Sequence, residues 1–163
     1  MTRYSGFISL LLALAFAAAA AGQTPPDLRT RLSAGQACRF RSEISFRGNE
    51  LTGLCVLRET ETACTGALVN EFGVKALDFV FDKRSEKVKL HNVIFFLDKW
   101  YIRRVVRADL AVMLRALSAD DTAAKPAGKR ELLITPQGEV RLTNLKYHIS
   151  YHLTPLETDA VTE

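Results

Sequence analysis

From Cys38 to Leu90, apolar residues recur at alternate positions through five successive segments separated by short polar turns. A period of two puts one set of side chains on a single face of an extended strand, so these segments read as half-buried β-strands. In CRFRSEISFR, Phe40, Ile44 and Phe46 share one face, while Arg39, Arg41, Glu43 and Arg47 share the other. A tight turn at Gly48-Asn49 sets Phe46 opposite Leu51, Ile44 opposite Gly53 and Phe40 opposite Leu57. A turn in RETET, centred between Glu59 and Thr60, sets Leu51 opposite Leu68, Gly53 opposite Gly66 and Cys55 opposite Cys64. A third turn near Phe72-Gly73 pairs Leu68 with Leu77 and Gly66 with Phe79. A fourth, in DKRSEK, pairs Phe81 with Val88 and Phe79 with Leu90. In these registers one face stays apolar across all five strands, and a slip of one residue would reverse a whole strand. The expectation is an antiparallel meander whose other face is mixed, with Leu54, Val56, Val69 and Val80 among charges.

A short helix is expected over roughly Pro26 to Gln36, with proline at its start. Between Ile94 and Leu117 the period lengthens, and Ile94, Leu97, Tyr101, Val105, Ala108 and Val112 form a helical stripe. Asp109 could cap a second helix, which suggests a break near Arg107-Asp109. After a polar loop, Ser118 to Lys129, come three more strands: Glu131 to Thr135, Glu139 to Leu145, and Tyr147 to Thr154. The expected fold is α+β, a curved antiparallel sheet of about eight strands forming a half-barrel, with a long helical insert on its concave face.

The 163-residue chain opens with Arg3 and the apolar run FISLLLALAFAAAAA, followed by small residues. That is the pattern of a secretory signal peptide, expected over residues 1–22, leaving a single domain over 23–155 and a flexible tail over 156–163. The first cysteine, Cys38, lies well beyond the apolar run, so no lipidation cysteine follows it, and the protein is expected to be periplasmic or secreted. Asp98, Lys99, Arg103, Arg104, Arg107 and Asp109 interrupt the later apolar stretch, so no transmembrane span is expected. A net charge of +4 is too slight and too scattered to point to nucleic acid.

Cys55 and Cys64, facing each other across a hairpin in an oxidising compartment, are expected to form a disulfide. Cys38 then falls opposite Glu59 and is expected to be a buried free thiol. Neither the close cysteine spacing of a zinc site nor a C-x-x-C redox pair occurs, so no metal and no cofactor are expected. His148 and His152 lie about 13 Å apart on strand geometry, and they and His91 read as surface residues. No nucleophile elbow, phosphate loop, H-E-x-x-H or G-x-G-x-x-G is present, so no catalytic residue is assigned and the chain is not expected to be an enzyme.

Two features point to binding. Large side chains rim the apolar face while Gly53, Gly66, Cys55 and Cys64 occupy its middle, and small residues in strand interiors mark close approach of a ligand or of a covering helix. Lys99, Arg103 and Arg107 recur every four residues on one helix face with Arg104 beside them, which suits either a solvated face or docking to anionic headgroups or an acidic partner. The order of elements, with the segments LTGLCVL and NEFGVKALDFVFD, resembles the bacterial lipoprotein-carrier (Lol-type) superfamily. That resemblance implies a half-open β-barrel lidded by helices, with an apolar interior for lipoprotein acyl chains. None of that family's lid-locking residues is matched, and the missing lipidation cysteine makes the chain more similar to the soluble carrier than to the anchored acceptor.

The expected function is therefore non-catalytic carriage of lipid or lipoprotein acyl chains. The alternative is an envelope scaffold or interaction domain with a filled core, binding other envelope proteins. The expected lipid-binding residues are Phe40, Ile44, Phe46, Leu51, Leu57, Leu68, Leu77, Phe79, Phe81, Leu90, Leu97, Tyr101 and Val105. Headgroup or partner docking is expected of Lys99, Arg103, Arg104 and Arg107.

Overall fold

The computed structural model describes residues 28–119, 126 and 128–156. The expected signal peptide and nearly all of the expected tail lie outside the described residues. Within them run α1 (Leu28–Ser33), β1 (Cys38–Phe46), β2 (Asn49–Glu59), β3 (Ala63–Asn70), β4 (Lys75–Asp82) and β5 (Lys87–His91). These are followed by α2 (Trp100–Ser118), β6 (Arg130–Ile134), β7 (Val140–Asn144) and β8 (Ile149–Pro155). The eight strands form one antiparallel sheet in the order β5-β4-β3-β2-β1-β8-β7-β6, curled into a half-barrel. The fold is α+β as expected, though the helical insert is a single longer helix. The pairing of β1 with β8, Phe46 beside Ile149 and Phe40 beside Pro155, joins the two ends of the domain at the centre of the sheet.

Every strand of the meander turns the expected face inward, but two of the four registers differ. The third and fourth hairpins pair as anticipated, Gly66 with Phe79 and Phe81 with Val88. The first turns one residue earlier, at Arg47-Gly48, so Ile44 faces Leu51 and Phe40 faces Cys55. Both turn residues have positive φ, 49° and 79°, the backbone of a two-residue hairpin turn. The second turns two residues later because Thr60 holds it: its Oγ1 donates to the Ala63 carbonyl at 3.0 Å and accepts from the Ala63 amide at 3.1 Å. Cys55 therefore faces Leu68, and Cys64 faces Glu59. The shifts are even-numbered, so apolar faces are preserved while individual partners are not.

That shift overturns the expected disulfide. Cys38, Cys55 and Cys64 are all free and buried, with Cys38 opposite Leu57. Burial, then the neighbouring Cys64, pushes the Cys55 thiol up to about 12. Burial, then Glu59, does the same to Cys64, and burial also raises Cys38. Thiols held protonated in this way are inert at neutral pH.

The strands give the half-barrel two unlike ends. At one end lie the β2–β3, β4–β5 and β6–β7 turns, and α1 closes it with Leu28 and Leu32, both buried. Gly138 in the β6–β7 turn, at φ +84°, lies so close to Leu28 that an added Cβ would come within 2.9 Å of it. At the other end, called the rim below, lie the β1–β2, β3–β4 and β7–β8 turns and the loop leading into α2. From the rim α2 runs across the concave face toward the closed end, where Arg115 pairs with Glu86 and the Ala116 carbonyl accepts from Arg29.

The expected break in α2 does not occur, and its buried face is rotated from the expected stripe. Tyr101 and Ala108 are exposed, while Asp109, Leu110, Met113, Leu114, Ala116 and Leu117 are buried. The expected phase was set from Ile94 and Leu97, which precede the helix and so do not share its rotation. Asp109 does not cap; it is fully buried and accepts hydrogen bonds from Arg130 Nε at 2.7 Å, Asn144 Nδ2 at 2.8 Å and the Tyr151 hydroxyl at 3.0 Å. One carboxylate thus ties α2 to β6, β7 and β8, with its charge matched by Arg130.

Candidate functional site

All the buried residues of α2 lie from Asp109 onward, and its first nine residues are at most half-buried. Beneath that first half, sheet and helix stand apart. Two adjoining apolar cavities of about 410 and 500 Å³ open there, within the size range of small-ligand sites. Ile44 and Phe46 of β1, Leu97 of the loop, Ile102 and Val106 of α2, and Tyr151 of β8 line both. They are therefore two lobes of one cleft.

The first lobe continues between α2 and the β7–β8 turn. Trp100, Tyr101, Val105, Tyr147 and Ile149 add to its wall, and Arg47, Arg104 and Lys146 bring three cations to it. The second continues over β2, β3 and β4, where Leu51, Leu68, Leu77, Phe96 and Leu110 line it beside Asn49 and Glu50. Tyr151 lines both lobes while its hydroxyl is turned to the buried Asp109. Burial, then the Asp109 charge, holds its phenol well above the usual range, so it stays a hydrogen-bond donor to that carboxylate.

The expected lipid-binding residues divide between the two ends. Ile44, Phe46, Leu51, Leu68, Leu77, Leu97, Tyr101 and Val105 line the cleft. Phe40, Leu57, Phe79, Phe81 and Leu90 do not; they are packed into the solid core under the second half of α2. The small residues expected to mark a ligand's approach are occupied by the sheet itself. A Cβ on Gly53 would come within 2.0 Å of the Val69 carbonyl oxygen, beside the β3 bulge, and one on Gly66 would strike the Phe79 ring. Neither the helix nor a vacant space accounts for them.

The expected basic face divides as well. Arg103 is engaged, pairing with Asp98 at 2.5 Å and donating to the Leu90 carbonyl at 3.3 Å. Arg104 reaches the first lobe, while Lys99 and Arg107 are exposed. Ile102, Val106, Ile149 and Tyr151 complete the cleft without having been assigned to it from sequence. Their signal was present: Ile102, Val106 and Leu110 form their own stripe at spacing four, one position on from the chosen one.

His91 and His148 are exposed, and His152 sits on the outer face against Glu139, with Glu43 at 3.6 Å. Hydrogen bonds from Arg141 and then His152 lower the Glu139 carboxyl. Among the described residues no cluster of His, Cys, Asp or Glu is arranged to hold a metal ion, and no helix is long and apolar enough to cross a membrane. A scan against protein-family models finds no match, and no curated protein matches the sequence.

Proposed function

We propose that this protein holds the acyl chain of a lipid or lipoprotein in the two-lobed cleft, as a non-catalytic carrier in the bacterial envelope, periplasmic or secreted. The observation that carries this reading is a cleft between sheet and helix, open at the rim and lined mainly by aliphatic and aromatic side chains. An apolar chain laid there would replace water on Ile44, Phe46, Ile102 and Val106, each fully buried methylene contributing about 0.8 kcal/mol. The cations at the first lobe suit an amphiphile whose polar end is anionic. The resemblance in element order to the lipoprotein carriers points the same way.

Native mass spectrometry of protein purified from the envelope should find bound lipid, and a fluorescent fatty acid should be taken up. Val106→Trp, which fills the space shared by the lobes, should weaken uptake by about tenfold or more while the fold is retained. No co-purified lipid together with no uptake would sink the proposal. The alternative, an interaction domain with a filled core, draws on the solid packing around Phe40 and Phe79. It predicts no effect of Val106→Trp on any ligand.

A further inference from the structure

Among the described residues nine large apolar side chains are exposed, and eight of them sit at the rim. They come from four separate segments. The β3–β4 turn supplies Phe72 and Val74, and the loop before α2 supplies Phe95 and Phe96. The first turn of α2 supplies Trp100 and Tyr101, and the β7–β8 turn supplies Leu145 and Tyr147. Chance exposure scatters such residues over a surface; gathering them at one end marks an interaction site.

Charge narrows what the site would meet. Arg47, Lys99, Arg104 and Lys146 are interleaved with these aromatics, and Arg47 and Lys146 each lie 5.2 Å from a neighbouring ring, Phe46 and Tyr147. Against them stand Glu50, Glu71 and Asp98, the last already paired with Arg103. Helix α2 also starts against its own dipole. Its first turn has no acid, and although Asp98 offsets Arg103, Lys99 and Arg104 add positive charge at the positive end, which a negative surface facing it would relieve. Aromatic rings interspersed with Lys and Arg on loop tips, beside an apolar mouth, are the chemistry of a lipid–water interface. A protein partner would instead be met by an apolar centre with charge confined to its border.

We infer that the rim docks on an anionic bilayer surface, its loop aromatics in the headgroup layer and the cleft mouth facing the lipid. The inference rests on the acyl-chain reading for its purpose, since a chain could then pass between bilayer and cleft without crossing water. Its test does not depend on that reading.

Trp100 is the one tryptophan of the chain and is 76% exposed at the mouth of the first lobe, so its fluorescence reports on the rim, and flotation of the protein with the vesicles separates docking from entry of a lipid into the cleft. Protein purified from cells, its N-terminus fixed by intact mass, is mixed with phosphatidylglycerol-containing or pure phosphatidylcholine vesicles. Trp100 emission should shift to the blue and be quenched by brominated lipid with the anionic vesicles, and much less with the neutral ones. Lys99→Glu/Arg107→Glu and, separately, Phe72→Ser/Phe95→Ser should each weaken that response by about tenfold or more. None of these four residues lines the cleft, so fatty-acid uptake without vesicles should be unchanged in both variants. Trp100 emission unaffected by anionic vesicles overturns the inference, as does an equal response to neutral ones. Capture of an acidic polypeptide by the rim without any vesicle response overturns it in favour of a protein partner. Insertion of Trp100 without fatty-acid uptake leaves the docking standing and removes the cleft reading.

Discussion

The closed end and the rim are built by the same sheet and the same helix, yet they are packed to opposite standards. Toward the closed end Met113, Leu114 and Leu117 of α2 are buried in one core cluster with Phe79, Phe81 and Leu57, and α1 seals the bottom. Toward the rim the helix surface is still apolar at Ile102, Val105 and Val106, but there those side chains line the cleft. Asp109 marks the boundary: before it α2 has no buried residue, and from it onward six are buried. The difference teaches that stability and the cleft are assigned to separate halves of one helix, so the cavity need not be costly to the fold.

Substitutions can break or sharpen that division. The largest effect should come from Asp109→Ala, which leaves Arg130, Asn144 and Tyr151 without their shared acceptor. It should cost about 3–5 kcal/mol in urea denaturation. A loss under 1 kcal/mol would mean the helix is held by something else. Next in size, Leu114→Ala should cost about 2–5 kcal/mol, because its site is closed on all sides. Val106→Ala, about two turns nearer the rim beside space that already exists, should cost less than about 1 kcal/mol. Equal losses at the two positions would erase the distinction between the halves.

The effect that vanishes at neutral pH concerns the thiols of the closed half. Cys55 and Cys64 keep their protons up to about 12 when folded, against an ordinary 9.0 when unfolded. The folded state therefore binds more protons above pH 9, and stability should be full below that value and fall as pH rises from about 9 toward 12. Thermal melts between pH 7 and 10.5 should show this decline, and Cys55→Ala/Cys64→Ala should flatten it. A thiol reagent should find all three cysteines silent in the native protein and reactive in denaturant; two silent in both would restore the disulfide.

The meander was legible because alternation fixes which face each residue occupies, and that survives any even-numbered error. Turn chemistry decided the rest. Arg47 adopting a left-handed backbone, and Thr60 bonding Ala63, moved two registers by amounts no hydrophobic pattern resists. Those movements removed the Cys55–Cys64 pair while leaving Leu68 and Leu77 in the cleft wall. The cleft was half visible for a related reason. Its sheet side follows from alternation, but its helix side depends on rotational phase, which Ile94 and Leu97 misreport from outside the helix. The β1–β8 seam has no local signal, since each strand reads the same whichever neighbour it takes.

That seam has a kinetic side. Phe46 meets Ile149, and Ile44 meets Tyr151, across roughly a hundred residues of intervening chain, a separation that slows folding because loop closure precedes any reward. All four of those residues line the first lobe of the cleft. A nascent chain emerging from its amino end can therefore zip its first hairpins early, yet leaves the cleft without one wall until its last strand arrives.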